Sequence, residues 1–263
     1  GIIQFAKNTI PDKSSGYTLD VIARGLIATA MQYNRTHDPK ELEMIKTYLN
    51  FIKFVQDDEG KLFNLVDANK VINKENWSED AHGRAIWALG YITNIASLPS
   101  ELKEEAKRIF NKSLGVNQCI ESPRATCFLL IGYHFYQKVA NSETNINLIN
   151  SLASRLVDLY KENSTKNWNW FEPYLTYDNS KLPESLFYAY LATKNAKYRE
   201  IATSSLNFLI STCFEKNIFF PIGQQGWYLK GKERAYFDQQ PIEASSMVQT
   251  LLVAHQVTGD QKY

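Results

Sequence analysis

The sequence predicts an all-α protein, an (α/α)6-type toroid of helical hairpins of which four pairs and a fifth inner helix are visible. Three observations carry that expectation. Apolar residues recur with the helical period, segments apolar nearly all round alternate with amphipathic ones, and a charged residue marks the first turn of each all-apolar segment. A unit that repeats in this way buries its core by stacking on its neighbours.

The first segment places Leu19, Ile22, Ala23, Leu26, Ile27, Ala30 and Met31 on one helical face. After Asp38-Pro39 a second helix carries Leu42, Ile45, Leu49 and Ile52 on one side, with Lys40, Glu43, Lys46 and Lys53 elsewhere, the pattern of a half-solvated outer helix. The pair recurs at 80–95 with 102–110, at 123–139 with 146–160, and at 183–195 with 198–210. A fifth first-type helix covers 241–257, and its partner would begin near Tyr263. In each pair the first helix is apolar all round, as in Phe128-Leu129-Leu130-Ile131, so it belongs in an inner layer with the amphipathic helices outside.

Asp20, Asp80, Arg124, Glu184 and Glu243 each fall in the first turn of an inner helix, and Pro123, Pro183 and Pro241 occupy first-turn positions where a missing N–H costs nothing. Acids there also complement the helix dipole, which is the plain structural alternative. The repeat further predicts that all five starts face one mouth of the toroid.

Composition narrows the function. With 29 Lys+Arg against 28 Asp+Glu the formal charge is +1, so no overall field favours nucleic acid or an anionic membrane. No apolar run reaches the ~20 residues of a membrane span. Cys119, Cys127 and Cys213 are too few and scattered for a disulfide framework, which points to a reduced compartment, the cytoplasm. No linker divides the chain, so residues 1–263 are expected to form one domain, carried within a longer protein. His37, His82, His134 and His255 are dispersed without metal-ligand spacing, no D-x-D-D run is present, and Walker, Rossmann and G-x-S-x-G signatures are missing; no metal or cofactor is expected.

Aromatic residues make up 13% of the chain, and many stand beside carboxylates and amides in non-helical stretches. The densest runs from Asn167-Trp168-Asn169-Trp170-Phe171-Glu172 to Tyr177-Asp178-Asn179 and leads into Leu182-Pro183-Glu184. Aromatic rings stack on the apolar face of a pyranose while polar groups bind its hydroxyls, so such a connection suits a sugar site; the alternative is a hydrophobic plug made by Trp168, Trp170 and Phe171. A second stretch holds Trp227, Arg234, Asp238, Gln240 and Glu243, and a third runs from Asn76 and Trp77 through Asp80 and Arg84, the last two on one helical face.

Glycoside hydrolysis needs two carboxyl groups, about 5 to 5.5 Å apart for retention or roughly 6.5 to 9.5 Å for inversion, one of them kept protonated. Asp80, Glu172, Asp178, Glu184, Asp238 and Glu243 are the candidates, with Glu243 and Asp80 the first choices and Glu172 and Asp178 next. Trp77, Arg84, Arg124, Trp168, Trp170, Tyr177, Asn179, Trp227, Asp238 and Gln240 are the expected substrate contacts.

Four blocks carry a family resemblance: Ser15-Gly16-Tyr17-Thr18-Leu19-Asp20 with Arg24; Glu79-Asp80-Ala81-His82-Gly83-Arg84-Ala85; Trp168-Asn169-Trp170-Phe171-Glu172 with Leu175-Thr176-Tyr177-Asp178-Asn179 and Leu182-Pro183; and Asp238-Gln239-Gln240-Pro241-Ile242-Glu243-Ala244. In these the chain resembles the six-hairpin glycosidase superfamily, and more closely the helical domain that follows a glycosyltransferase domain in some bacterial proteins. The resemblance implies a toroid whose loops at one end face a mannose- or glucose-type glycan. It leaves open whether the domain is a hydrolase or a non-catalytic, carbohydrate-binding companion of a glycosyltransferase in the same polypeptide. A helical scaffold for protein partners would instead put the aromatic residues on convex faces.

Overall fold

The computed structural model describes residues 1–75 and 77–263. Asn76, which opens the third polar-aromatic stretch, lies outside them. The chain divides into two compact units, Gly1–Asn145 and Ile146–Tyr263.

The first unit holds α1 (Leu19–Thr36), α2 (Pro39–Phe54), α3 (Glu79–Ile92), α4 (Ser100–Lys112), the short α5 (Leu114–Gln118) and α6 (Pro123–Gln137). Their ends follow local chemistry. Asp38 caps α2 by accepting the Lys40 N–H, with Pro39 in the first turn, and Ser78 and Ser122 accept the N–H groups of Ala81 and Ala125 at the starts of α3 and α6. At α1 the cap comes from elsewhere in the chain: the Asn64 carbonyl accepts the Leu19 N–H and its side-chain oxygen accepts that of Asp20. Three short antiparallel strands, Tyr17–Thr18, Leu65–Val66 and Ile72–Asn73, hold that connection in front of α1.

The inner helices α3 and α6 are buried almost all round and pack on each other, and α3 also packs on α1. Their backbones meet at glycines. A Cβ on Gly90 would lie 2.2 Å from the Gly132 carbonyl oxygen, and one on Gly132 would lie 2.7 Å from that of Ile86. Outer helices α2 and α4 cover α1 and α3 with Ile45, Leu49, Ile52, Ala106, Ile109 and Phe110.

α7 (Glu143–Asn163) runs into the second unit, which continues with α8 (Lys181–Thr193), α9 (Ala196–Cys213) and α10 (Pro241–Thr258). α8 packs on both α9 and α10, and α7 meets α9 through Tyr198, whose hydroxyl donates to Asn150 Oδ1 at 3.0 Å. α8 starts two residues ahead of Pro183, because the turn 178–180 already offers carbonyls to the Lys181, Leu182 and Glu184 N–H groups. α8 is buried as an inner helix should be. α10 departs from the pattern: Val248 and Leu252, one turn apart, are 58% and 67% exposed, since α8 covers only the opposite face within this unit. Among the described residues no helix is long and apolar enough to cross a membrane.

Candidate functional site

In the second unit the non-helical stretch before α8 ends in a closed turn. Asn179 accepts the Thr176 N–H through Oδ1 at 2.9 Å and donates Nδ2 to the Thr176 carbonyl at 2.6 Å. Asp178 inside that turn sits in the left-handed region with φ 53°, a conformation Asp tolerates better than most residues. Its buried N–H is taken by Glu243 Oε1 from the first turn of α10. The Ser246 hydroxyl, one turn further along α10, donates to Asp178 Oδ1. Two carboxyl groups far apart in sequence thus share one buried site.

The neighbouring residues extend that network. Lys181 and Glu184, both with only 2% of the side chain exposed, pair at 2.7 Å, and Lys181 also donates to Gln249. Thr250 donates to Glu184 Oε2 at 3.1 Å. Burial raises the Glu184 pKa above its ordinary value; the Lys181 ammonium opposes that rise and the Asp178 carboxylate adds to it.

The aromatic block lies beside this turn and is buried. Trp168 donates Nε1 to the Glu172 carbonyl at 2.8 Å, and its ring meets Phe208 and Tyr228 edge-on, each with centroids 5.1 Å away. Trp170 and Phe171 are fully buried against each other, 5.3 Å between centroids, and Glu172 is buried next to them in the chain. Tyr177 is half-buried. In the later stretch Trp227 and Gln240 are half-buried and Asp238 is exposed. Gln240 donates Nε2 to Gln224, and the Asp238 carbonyl accepts the Gln224 N–H at 3.0 Å. Trp227 and Asp238 both have positive φ, 55° and 61°; the Trp227 backbone is held there by bonds to Gly223 and Ala235. Arg234 secures the base of this loop by donating to the carbonyls of Thr212, Phe220 and Pro221.

In the first unit the starts of α1, α3 and α6 are joined side to side. Asp20 accepts from Arg24 at 2.6 Å and from Arg84 Nε at 2.8 Å. The buried Arg84 guanidinium lies over the Phe128 ring, 4.1 Å from its centroid. Ser122 donates its hydroxyl to Asp80 Oδ1 at 2.8 Å, while Glu79 accepts the backbone N–H groups of Glu121 and Ser122. Arg124 is buried, and the half-buried Trp77 stands edge-on to His82 with Lys61 Nζ 5.5 Å from its ring.

Behind these starts lies a buried neutral chain. The Leu62 N–H donates to His82 Nδ1, so His82 carries its proton on Nε2 and donates to Asn117 Oδ1 at 2.8 Å; Asn117 donates on to the Tyr133 hydroxyl. Burial lowers the His82 pKa to about 4 and raises that of Tyr133.

Sequence reasoning did not single out Lys181, Ser246, Gln249 and Thr250. A signal existed for two of them: Ser246 and Thr250 stand three and seven residues after Glu243, on one helical face. Lys181 left none, since its burial depends on neighbours brought by α10. Among the described residues no group of three or more His, Cys, Asp and Glu side chains is placed to hold a metal ion.

No protein-family model matches the sequence, and no curated protein matches it. Solved structures do. A sugar epimerase from a ruminal bacterium superposes with a TM-score of 0.74 at 14% identity, over 97% of this chain and 74% of that one. The cellobiose 2-epimerase from Bacillus thermoamylovorans gives 0.70 at 15% identity, over 97% and 75% of the two chains. The chain thus has the all-α, (α/α)6-type fold that these structures share. A D-mannose isomerase superposes with a TM-score of 0.70 at 11% identity, over all of this chain and 77% of that one. At such identities the likeness is one of fold, and a site must be argued from its own groups.

Proposed function

We propose that the chain binds an oligosaccharide and acts on its glycosidic linkages in the manner of a glycoside hydrolase. The observation that carries this is the convergence of Asp178 and Glu243, two buried carboxyl groups delivered by the turn before α8 and the start of α10. Glu172 lies in the same unit as a third acid, and Asp80 is the acidic candidate of the first unit. In the reaction a protonated carboxyl gives its proton to the glycosidic oxygen as the C–O bond breaks, and a carboxylate takes a proton from the water that adds to the anomeric carbon. Trp77, Arg84 and Arg124 are the contacts proposed in the first unit, and Tyr177, Asn179, Trp227, Asp238 and Gln240 those proposed in the second, where Trp168 and Trp170, buried against Phe171 and Phe208, act as the hydrophobic plug and not as stacking surfaces. The fold relatives named above are described as enzymes that convert sugars, which supports the substrate class and widens the reaction to sugar rearrangement.

The second reading is a non-catalytic carbohydrate-binding domain in the same polypeptide as a glycosyltransferase. It is favoured by the way Glu243 and Ser246 spend hydrogen bonds on Asp178, an arrangement that also serves structure alone. Under either reading the 263 residues work as one functional domain without a cofactor, and we place it in the cytoplasm; none of the three cysteines forms a disulfide among the described residues.

Incubation with manno- and gluco-oligosaccharides, product analysis by mass spectrometry and NMR, and parallel calorimetry test this. Turnover that falls by about 100-fold or more in Glu243→Gln or Asp178→Asn supports the enzyme. Binding without new products supports the accessory domain, and neither binding nor turnover sinks both.

A further inference from the structure

We propose that the second unit carries another glycan-binding site, in the surface groove between the 165–168 turn and α9, for a neutral pyranose chain. The groove is open to solvent, has a volume of about 480 Å³ and is lined by Lys166, Asn167, Asn169, Ser204, Asn207, Phe208 and Ser211. That volume is of the size that holds a small ligand.

One wall is a tight turn. Thr165 and Trp168 exchange backbone hydrogen bonds at 2.9 and 3.1 Å, which puts Lys166 and Asn167 at its tip. The other wall is a single helical face, because Ser204, Asn207, Phe208 and Ser211 stand at i, i+3, i+4 and i+7 along α9. The buried Trp168 ring joins the walls through its edge-on contact with Phe208 at 5.1 Å. Both walls are therefore fixed before a ligand arrives, which lowers the ordering cost of binding.

The chemistry of the lining selects the ligand. The side chains of Lys166, Asn167 and Asn169 bond to no described residue, and Asn207 uses only Oδ1, as acceptor for the Tyr263 hydroxyl at 2.9 Å. Amides offer a donor and an acceptor side by side, the pattern that two adjacent sugar hydroxyls answer. The half-buried Phe208 ring supplies an apolar surface for the sugar C–H groups. Three amides and the Phe208 ring, against the single exposed Lys166, give the groove its preference for neutral hydroxyls, and with no carboxylate lining it among the described residues it holds a glycan without cleaving it. This inference stands apart from the acid site at Asp178 and Glu243.

Affinity electrophoresis through native gels containing mannan, β-glucan or heparin tests it, using wild type, the double variant Asn169→Ala/Asn207→Ala, and Glu243→Gln. Both amides are at least partly exposed, and unchanged circular dichroism and melting would verify the fold of each variant. The expected result is retardation of wild type and of Glu243→Gln by a neutral polysaccharide, weakened about tenfold in the double variant, with any turnover of short oligosaccharides unchanged there. Retardation equal in wild type and double variant, no retardation in any neutral gel, or retardation only by heparin that disappears in about 0.5 M salt would overturn the proposal, the last in favour of an anion site.

Discussion

Glu243 accepts the backbone N–H of Asp178, so the first turn of α10 is fastened to the turn that starts α8. Asp178 sits in the left-handed region at φ 53°, and its buried N–H is taken by a side chain from another helix. The bond therefore serves two ends, since it satisfies a buried donor and holds the Glu243 carboxylate against the Asp178 backbone.

Removing that acceptor should be costly. Glu243→Ala leaves the Asp178 N–H buried without this partner and is expected to lower unfolding free energy by about 2 kcal/mol, while Glu243→Gln, which keeps an acceptor oxygen, should lose much less. Urea unfolding of the two variants checks this; equal losses would mean that charge, not the hydrogen bond, holds the turn.

The Lys181–Glu184 pair invites a sharper comparison. Lys181→Met strands a buried Glu184 and should destabilise by about 3–5 kcal/mol, whereas Lys181→Met combined with Glu184→Gln should recover a large part of that loss. Thermal melts of the single and double variants decide it, and a double variant no better than the single would refute the electrostatic account.

His82 makes stability depend on pH. Its folded-state pKa of about 4 lies below the ordinary value near 6.5, so between those values the unfolded chain binds the extra proton. The His82 contribution is complete above pH ~6.5 and is lost as pH falls towards 4, by about 3 kcal/mol in all. Denaturant midpoints measured across that window should show a steeper acid decline in wild type than in His82→Gln; parallel curves would remove His82 from the explanation.

Gly90→Ala should be among the most damaging single substitutions. Its Cβ would meet the Gly132 carbonyl oxygen at 2.2 Å, and two packed helix backbones cannot yield as a flexible side chain can. A loss of at least about 3 kcal/mol is expected, read as a large drop in melting temperature. A variant that melts within a few degrees of wild type would show that α3 and α6 can separate freely.

Much of the architecture was legible in the residue order. All-round apolar stretches became α3, α6 and α8, and Asp38, Ser78 and Ser122 capped helices where short polar side chains precede a periodic run. Pro183 predicted a start two residues too late because a turn formed by Asp178–Ser180 feeds the helix from outside its own sequence. Val248 and Leu252 read as inner-layer residues and stand exposed, since periodicity tells which residues are apolar and not whether a neighbour is present to cover them.

For the candidate site the division is clearer. Sequence alone determined that acids and indoles cluster beside helix starts, because capping preferences, the helical period and turn chemistry are local properties of neighbouring residues. Only the tertiary structure decided that Glu243 meets Asp178, that Arg84 reaches Asp20, and that Trp168 and Trp170 pack inward. Those outcomes depend on which segments, tens of residues apart, come within hydrogen-bond range and exclude water from one another, and no local pattern encodes that distance.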